Sequence, residues 1–134
     1  MMSPPVPLAF LICDHVWRDP RSGQHCLLGT LSTIASSEFP ATIDMAVYFA
    51  LIEGRGKQAI RVELVDIDEE RPPVFQVDAE LMFNDPREVV EGAFQFTGLV
   101  LPEPGEYRLK LFVAHEFLME RSLHITAAVG QRGE

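Results

Sequence analysis

The stretch Gly98–Ala114, GLVLPEPGEYRLKLFVA, decides the fold. Pro102 and Pro104 stop any helix, because a proline has no N–H to give and cannot donate to a strand ladder. Gly105 supplies the backbone freedom that a tight corner needs. Beyond it Tyr107, Leu109, Leu111 and Val113 fall on one side of an extended chain, with Arg108 and Lys110 on the other. That period of two makes a half-buried strand. In the entry Pro104-Gly105-x-Tyr107, the tyrosine hydroxyl is placed to pin the corner between two strands of a sandwich.

The same period recurs outward in both directions. A first strand runs from Leu8 to about Trp17, and Arg18 to Gly23 is a loop of turn-forming residues. A second strand takes in Cys26, Leu27, Leu28, Leu31 and Ile34, with Gly29 marking a bulge or a close backbone approach. Ile43, Met45, Val47, Phe49 and Leu51 alternate as a third strand. Ala46 and Ala50 would also suit a helical face, but five alternating apolar positions favour the strand. Gly54-Arg55-Gly56 reads as a hairpin turn. Ile60 to Asp66, Phe75 to Phe83, and Phe94 to Leu101 are strands four to six. The strand after the corner is the seventh, and Phe117 to Ile125 the eighth. Seven to eight short strands and no helix predict an all-β, single-domain antiparallel sandwich, immunoglobulin-like or C2-like. Its expected span is residues 6–126, with residues 1–5 and 127–134 as flexible termini.

Composition bounds the function. The formal net charge is -9 over 134 residues. A chain without a basic stripe cannot neutralise phosphates, which argues against nucleic acid and against anionic membrane surfaces. Two cysteines in a chain of this length are no disulfide scaffold. The N-terminus lacks a basic segment, and Asp14 and His15 cut its apolar run short, so we read neither a signal peptide nor a membrane span. The expected compartment is the cytoplasm.

Several residues together carry a family resemblance: Cys13-Asp14-His15-Val16-Trp17-Arg18-Asp19 with Gly23, Leu28-Gly29-Thr30, Phe39-Pro40, Val47-Tyr48-Phe49-Ala50-Leu51, and the Pro102-x-Pro104-Gly105-x-Tyr107 corner. Over roughly Leu8 to Ile125 the chain resembles a bacterial family of short, uncharacterised proteins, a domain of unknown function. The resemblance implies an immunoglobulin-like sandwich and carries no activity.

Four groupings invite chemistry. Cys13, His15, His25 and Cys26 are zinc-type ligands, although their spacing matches no usual zinc pattern. If each strand crossing swaps ends, Glu38, Asp66, Asp68, Glu70, Glu103 and Glu106 gather at one end, where carboxylates could hold calcium. The other end then collects Trp17, Arg18, Asp19, Arg55 and His115, a Trp- and Arg-containing surface suited to a protein partner. A hydrolase could be assembled on paper from His15, Asp14 or Asp19, and Cys26, but no nucleophile-elbow or phosphate-loop motif supports it. The expectation is therefore a non-catalytic interaction or structural module without a cofactor. It would bind an unknown protein partner, or a second copy through a strand edge.

Overall fold

A computed structural model describes residues 4–128. All regular structure among these residues is strand: β1 (Val6–Arg18), β2 (His25–Thr30), β3 (Thr33–Ser36), β4 (Ala41–Ile52), β5 (Gly56–Asp66), β6 (Phe75–Phe83), β7 (Val90–Leu101), β8 (Gly105–Val113) and β9 (Glu116–Ala127). They form two layers, a four-stranded sheet ordered β2-β1-β4-β7 and a five-stranded sheet ordered β3-β9-β8-β5-β6. The inward rows meet as one core. Phe10, Met45, Phe49 and Leu51 come from the first sheet, and Ile60, Leu64, Leu109, Leu111 and Leu123 from the second. Among the described residues no helix is long and apolar enough to cross a membrane.

The corner forms as read. Gly105 has φ of +146°, and the Tyr107 hydroxyl donates to the Glu103 carbonyl at 2.7 Å. The ring itself is buried, and the face that follows alternates without a break through Leu109, Leu111 and Val113.

Three expectations need correction. The segment from Cys26 to Ile34 is two strands, so the described residues form nine. β2 pairs antiparallel with β1, whereas β3 crosses to the other sheet and pairs parallel with β9, the one parallel ladder among the described strands. The chain changes sheets across Leu31 and Ser32, where Leu31 N–H still reaches the Ile12 carbonyl and Ser32 O already accepts from His124 N–H. Secondly, Gly54-Arg55-Gly56 is no hairpin turn: β4 and β5 lie in different sheets, and these residues carry the chain between layers. Gly54 is needed for space, since a Cβ there would meet Phe83 Cδ2 at 2.4 Å. Thirdly, the expected loose ends are partly fixed. Pro5 is buried, and Ala128 N–H donates to Ser36 O at 2.7 Å. The remainder of the expected termini, residues 1–3 and 129–134, lies outside the described residues.

One departure from a plain sandwich sets up the site. An outer sheet face should be wet, so a strand should read buried, exposed, buried. β4 is instead buried at seven consecutive positions, Met45 to Leu51. Ala46, Tyr48 and Ala50, on its outer face, are as enclosed as the core row. Something covers that face.

Candidate functional site

The cover is the β1–β2 hairpin. β1 is paired with β4 only from Val6 to Cys13, where β2 joins it; beyond Cys13, to Arg18, its partner is β2 alone. Released from β4, the two-stranded arm leaves the plane of the sheet and lies back across the outer face. Gly29 allows this: its φ is +67°, and a Cβ there would meet Asp14 Oδ2 at 2.6 Å. Cys13 ends up fully buried at the fold of the arm, and burial pushes its thiol pKa up.

Cross-strand partners share a face of a ribbon. Val16 pairs with Leu27 and Arg18 with His25, and this row faces the sheet. It is held by polar contacts to β4 and β7. Val16 N–H donates to Gln95 Oε1 at 3.4 Å, and Gln95 Nε2 donates to the carbonyls of Asp14 and Met45, each at 3.4 Å. The His25 ring lies 5.5 Å from that of Tyr48, and His25 Nδ1, buried and without a hydrogen-bond partner, is 3.5 Å from Glu91 Oε1. The Tyr48 hydroxyl donates to the other oxygen of Glu91. Burial, together with that hydrogen bond and the Glu91 charge, pushes the Tyr48 pKa up to about 12. At the tip, Asp19 organises the turn. Its carboxylate accepts from Arg21 N–H at 2.9 Å and from Ser22 Oγ at 3.1 Å, while its backbone exchanges bonds with Gln24 and Gly23. Arg18 Nε closes on the Gly23 carbonyl at 3.2 Å.

The opposite row, His15 with Leu28 and Trp17 with Cys26, points away from the sheet. Trp17 is 50% exposed and Leu28 59%, and His15 and Cys26 are exposed beside them. Trp17 and Leu28 are diagonal neighbours on this face, within reach of one another. A rigid arm thus presents an indole and a leucine to solvent.

This geometry regroups the predicted residues. Trp17, Arg18 and Asp19 belong to the hairpin on the four-stranded sheet. Arg55 and His115 do not join them. They sit where β5 begins and β8 ends, with the Arg55 carbonyl accepting from Gln58 Nε2 at 2.9 Å and His115 beside Arg61 and Asp78. The rule that each crossing swaps ends holds for Arg55 and His115, since Gly56 pairs with Phe83 and Ile60 with Val113, and it fails at the β1–β2 tip because the hairpin folds back.

The zinc-type set is divided as well: Cys13 and His25 lie beneath the arm, while His15 and Cys26 are on its outer face. For the paper hydrolase, Asp14 is on the face opposite His15 and Cys26, and Asp19 is engaged in the turn. Among the described residues no three His, Cys, Asp or Glu side chains converge on a point that a metal could occupy. Of the expected calcium set, Glu106 is engaged by Arg108 Nε at 2.7 Å and Ser122 Oγ at 3.2 Å, and the Arg108 guanidinium holds its carboxyl below the usual range. Glu38 lies between β3 and β4, and Asp68 and Glu70 lie in the β5–β6 loop. The neighbouring carboxylates of that end pair with cations, Glu103 with Arg71 and Glu69 with Lys110.

Tyr48, Glu91, Gln95 and Leu28 were not read as site residues, although Leu28 and Tyr48 stand among those that carry the family resemblance. The signal for the first was available: the unbroken apolar run from Met45 to Leu51 is what a strand buried on both faces looks like. Glu91 and Gln95 gave none, since an outward polar residue on a strand is ordinary.

Comparison with known proteins adds a family and no activity. A family model described as a family of unknown function, DUF6941, matches residues 8–126. No curated protein matches the chain. Among solved structures, a β-glucosidase from Listeria innocua in complex with glucose is 17% identical over 72% of this chain, with a TM-score of 0.47; the chain spans 15% of that enzyme's length. Another structure of a β-glucosidase from Listeria innocua gives 15% identity over 90% of this chain and 16% of its own, with a TM-score of 0.48. A CARDB domain from Pyrococcus furiosus, in complex with di-metal ions, is 11% identical, covers 95% of this chain and 100% of its own, and has a TM-score of 0.44.

Proposed function

We propose, for a chain that belongs to a family of unknown function, DUF6941, that it is a non-catalytic protein-binding module whose contact surface is the outward face of the β1–β2 hairpin. One observation carries this reading: Trp17 and Leu28 stand half-exposed on an arm whose other face is fixed to the sheet. An ordinary soluble surface scatters its apolar side chains singly. Tryptophan in particular anchors interfaces by filling a pocket with a large, rigid area, and a pre-ordered arm loses little entropy when it docks. The net charge of -9 favours a partner whose apolar socket is ringed by basic groups. The calcium and zinc readings have no converging set of three ligands behind them among the described residues.

A photo-activatable residue placed at Trp17 tests the surface, with Glu80 on the far sheet as the control position. The expected outcome is an adduct with one protein from position 17 and none from position 80. A partner captured in this way should lose roughly thirtyfold in affinity for Trp17→Ala, the effect of removing an interfacial anchor. Equal binding by Trp17→Ala and Leu28→Ser would overturn the reading.

A further inference from the structure

A second surface does not rest on the outward face of the hairpin. A cleft of about 540 Å³ opens where the two layers part, between β1 of one sheet and β9 of the other, within the range for ligand pockets. β3 closes only part of that side. It pairs with β9 from His124 to Ala127 and leaves the earlier part of that edge without a neighbouring strand. Along a strand each residue turns its N–H and C=O to one side, and the side alternates. His124 N–H donates to Ser32 O at 2.9 Å and Ala128 N–H to Ser36 O at 2.7 Å, so the even-numbered positions of β9 face away from β8. The register against β8 runs without a shift from Met119 to Ile125, so Glu120 and Ser122 face the same way. Both line the cleft. Their main-chain N–H and C=O groups have no hydrogen-bond partner among the described residues.

A charge between these two positions is the second observation. Met119, Arg121, Leu123 and Ile125 form the row of β9 that faces the core, and Leu109, the partner of Arg121 across the ladder, is fully buried. An arginine interrupts this apolar row at the cleft. Its Nε donates to the Phe10 carbonyl of β1 at 2.7 Å. Its guanidinium pairs with no carboxylate among the described residues. Glu120, the one carboxylate among the described residues that line the cleft, is held by Arg108 Nη1 at 2.6 Å.

From this we infer that the cleft takes an extended peptide bearing a carboxylate, added as a strand to the free edge of β9. Its main chain would pair with Glu120 and Ser122, in line with β3, which already occupies the adjoining stretch of the same edge. Its carboxylate would meet the Nη groups of Arg121, a pairing that guanidinium geometry favours. Alternate side chains would lie against Leu11 and Leu31. A small molecule would leave the repeating donors and acceptors of the edge unmatched. The net charge of -9 opposes an acidic ligand at a distance, so the affinity rests on these short-range contacts.

The probes are short blocked peptides of alternating valine and threonine. One carries a central glutamate, one a central lysine, and one the glutamate on an N-methylated main chain. At millimolar concentration the glutamate peptide should move the amide NMR resonances of Glu120 and Ser122 in a saturable way. The lysine peptide should bind roughly tenfold more weakly or worse, the worth of a hydrogen bond to a charged group. The N-methylated peptide keeps the side chains but loses its donors, and it should not bind. Arg121→Gln should abolish the preference for glutamate over lysine, which a merely structural role for Arg121 would leave in place. Trp17→Ala should leave the shifts unchanged, which separates this site from the hairpin. The inference is overturned if the glutamate peptide moves neither resonance, if the lysine peptide binds as well, or if N-methylation leaves the affinity unchanged.

Discussion

At the scale of single residues, the corner and the core make demands that substitution can test. Tyr107 is 2% exposed and its hydroxyl holds the Glu103 carbonyl. Tyr107→Phe keeps the ring and leaves that carbonyl unpaired, so it should cost about 1–2 kcal/mol in urea unfolding. A negligible change would mean that the hydroxyl does not pin the corner. Gly92 is required for space: a Cβ there would sit 2.2 Å from Phe49 Cζ, in the middle of the core. Gly92→Ala should therefore destabilise by about 1–3 kcal/mol, the usual cost of overpacking. The corner was legible because its chemistry is contiguous, with Pro104, Gly105 and Tyr107 lying within four residues of chain. Asp66 as a lone acceptor was not. A buried oxygen without a partner is a product of packing, and an aspartate at the end of a strand is ordinary in sequence.

At the scale of elements, the hairpin is the part that sequence periodicity handled worst. β4 through β9 announced themselves by alternation, and Phe75–Phe83 was read to its ends. The break between β2 and β3 has no glycine or proline where the chain changes sheets. The only trace is that Leu31 and Ile34 stand three apart and so fall out of a two-residue period. What pins the arm to the sheet gives a pH prediction. Tyr48 has its pKa near 12 in the folded protein, above the ordinary value of 10. Above the ordinary value an unfolded chain releases that proton while the folded chain keeps it. The stabilisation is therefore fully present below about pH 10 and lost between about pH 10 and 12. Denaturant titrations stepped through that range should show stability falling, and falling less steeply in Tyr48→Phe. Parallel curves for the two proteins would remove Tyr48 and Glu91 from any role in holding the arm.

At the scale of the whole molecule, two stacked sheets carry two separate surfaces, an apolar arm on the outside of one layer and a cleft between the layers along one side. The two-layer architecture followed from the recurring period of two. Which loops share a surface followed in part: Arg55 and His115 share one end, as the alternation of loops implies, but the β1–β2 tip does not join them, because the arm folds back and no period of two announces that bend. The net charge also acts at this scale. Association with a basic partner should slow as salt is raised, since screening shortens the reach of the field. An on-rate that does not change with salt would point to a neutral partner.

The central claim is that the β1–β2 arm lies on the outer sheet face with Trp17, Cys26 and Leu28 turned outward, and the two thiols report on it directly. Cys13 is buried under the fold of the arm and Cys26 is exposed on its outer row. With a colorimetric thiol reagent the native protein should show one fast-reacting thiol. Cys26→Ser should remove that fast phase, and the second thiol should appear only on unfolding. Two fast thiols in the native protein, or a fast phase that survives Cys26→Ser, would contradict the arm's placement and the contact surface built on it.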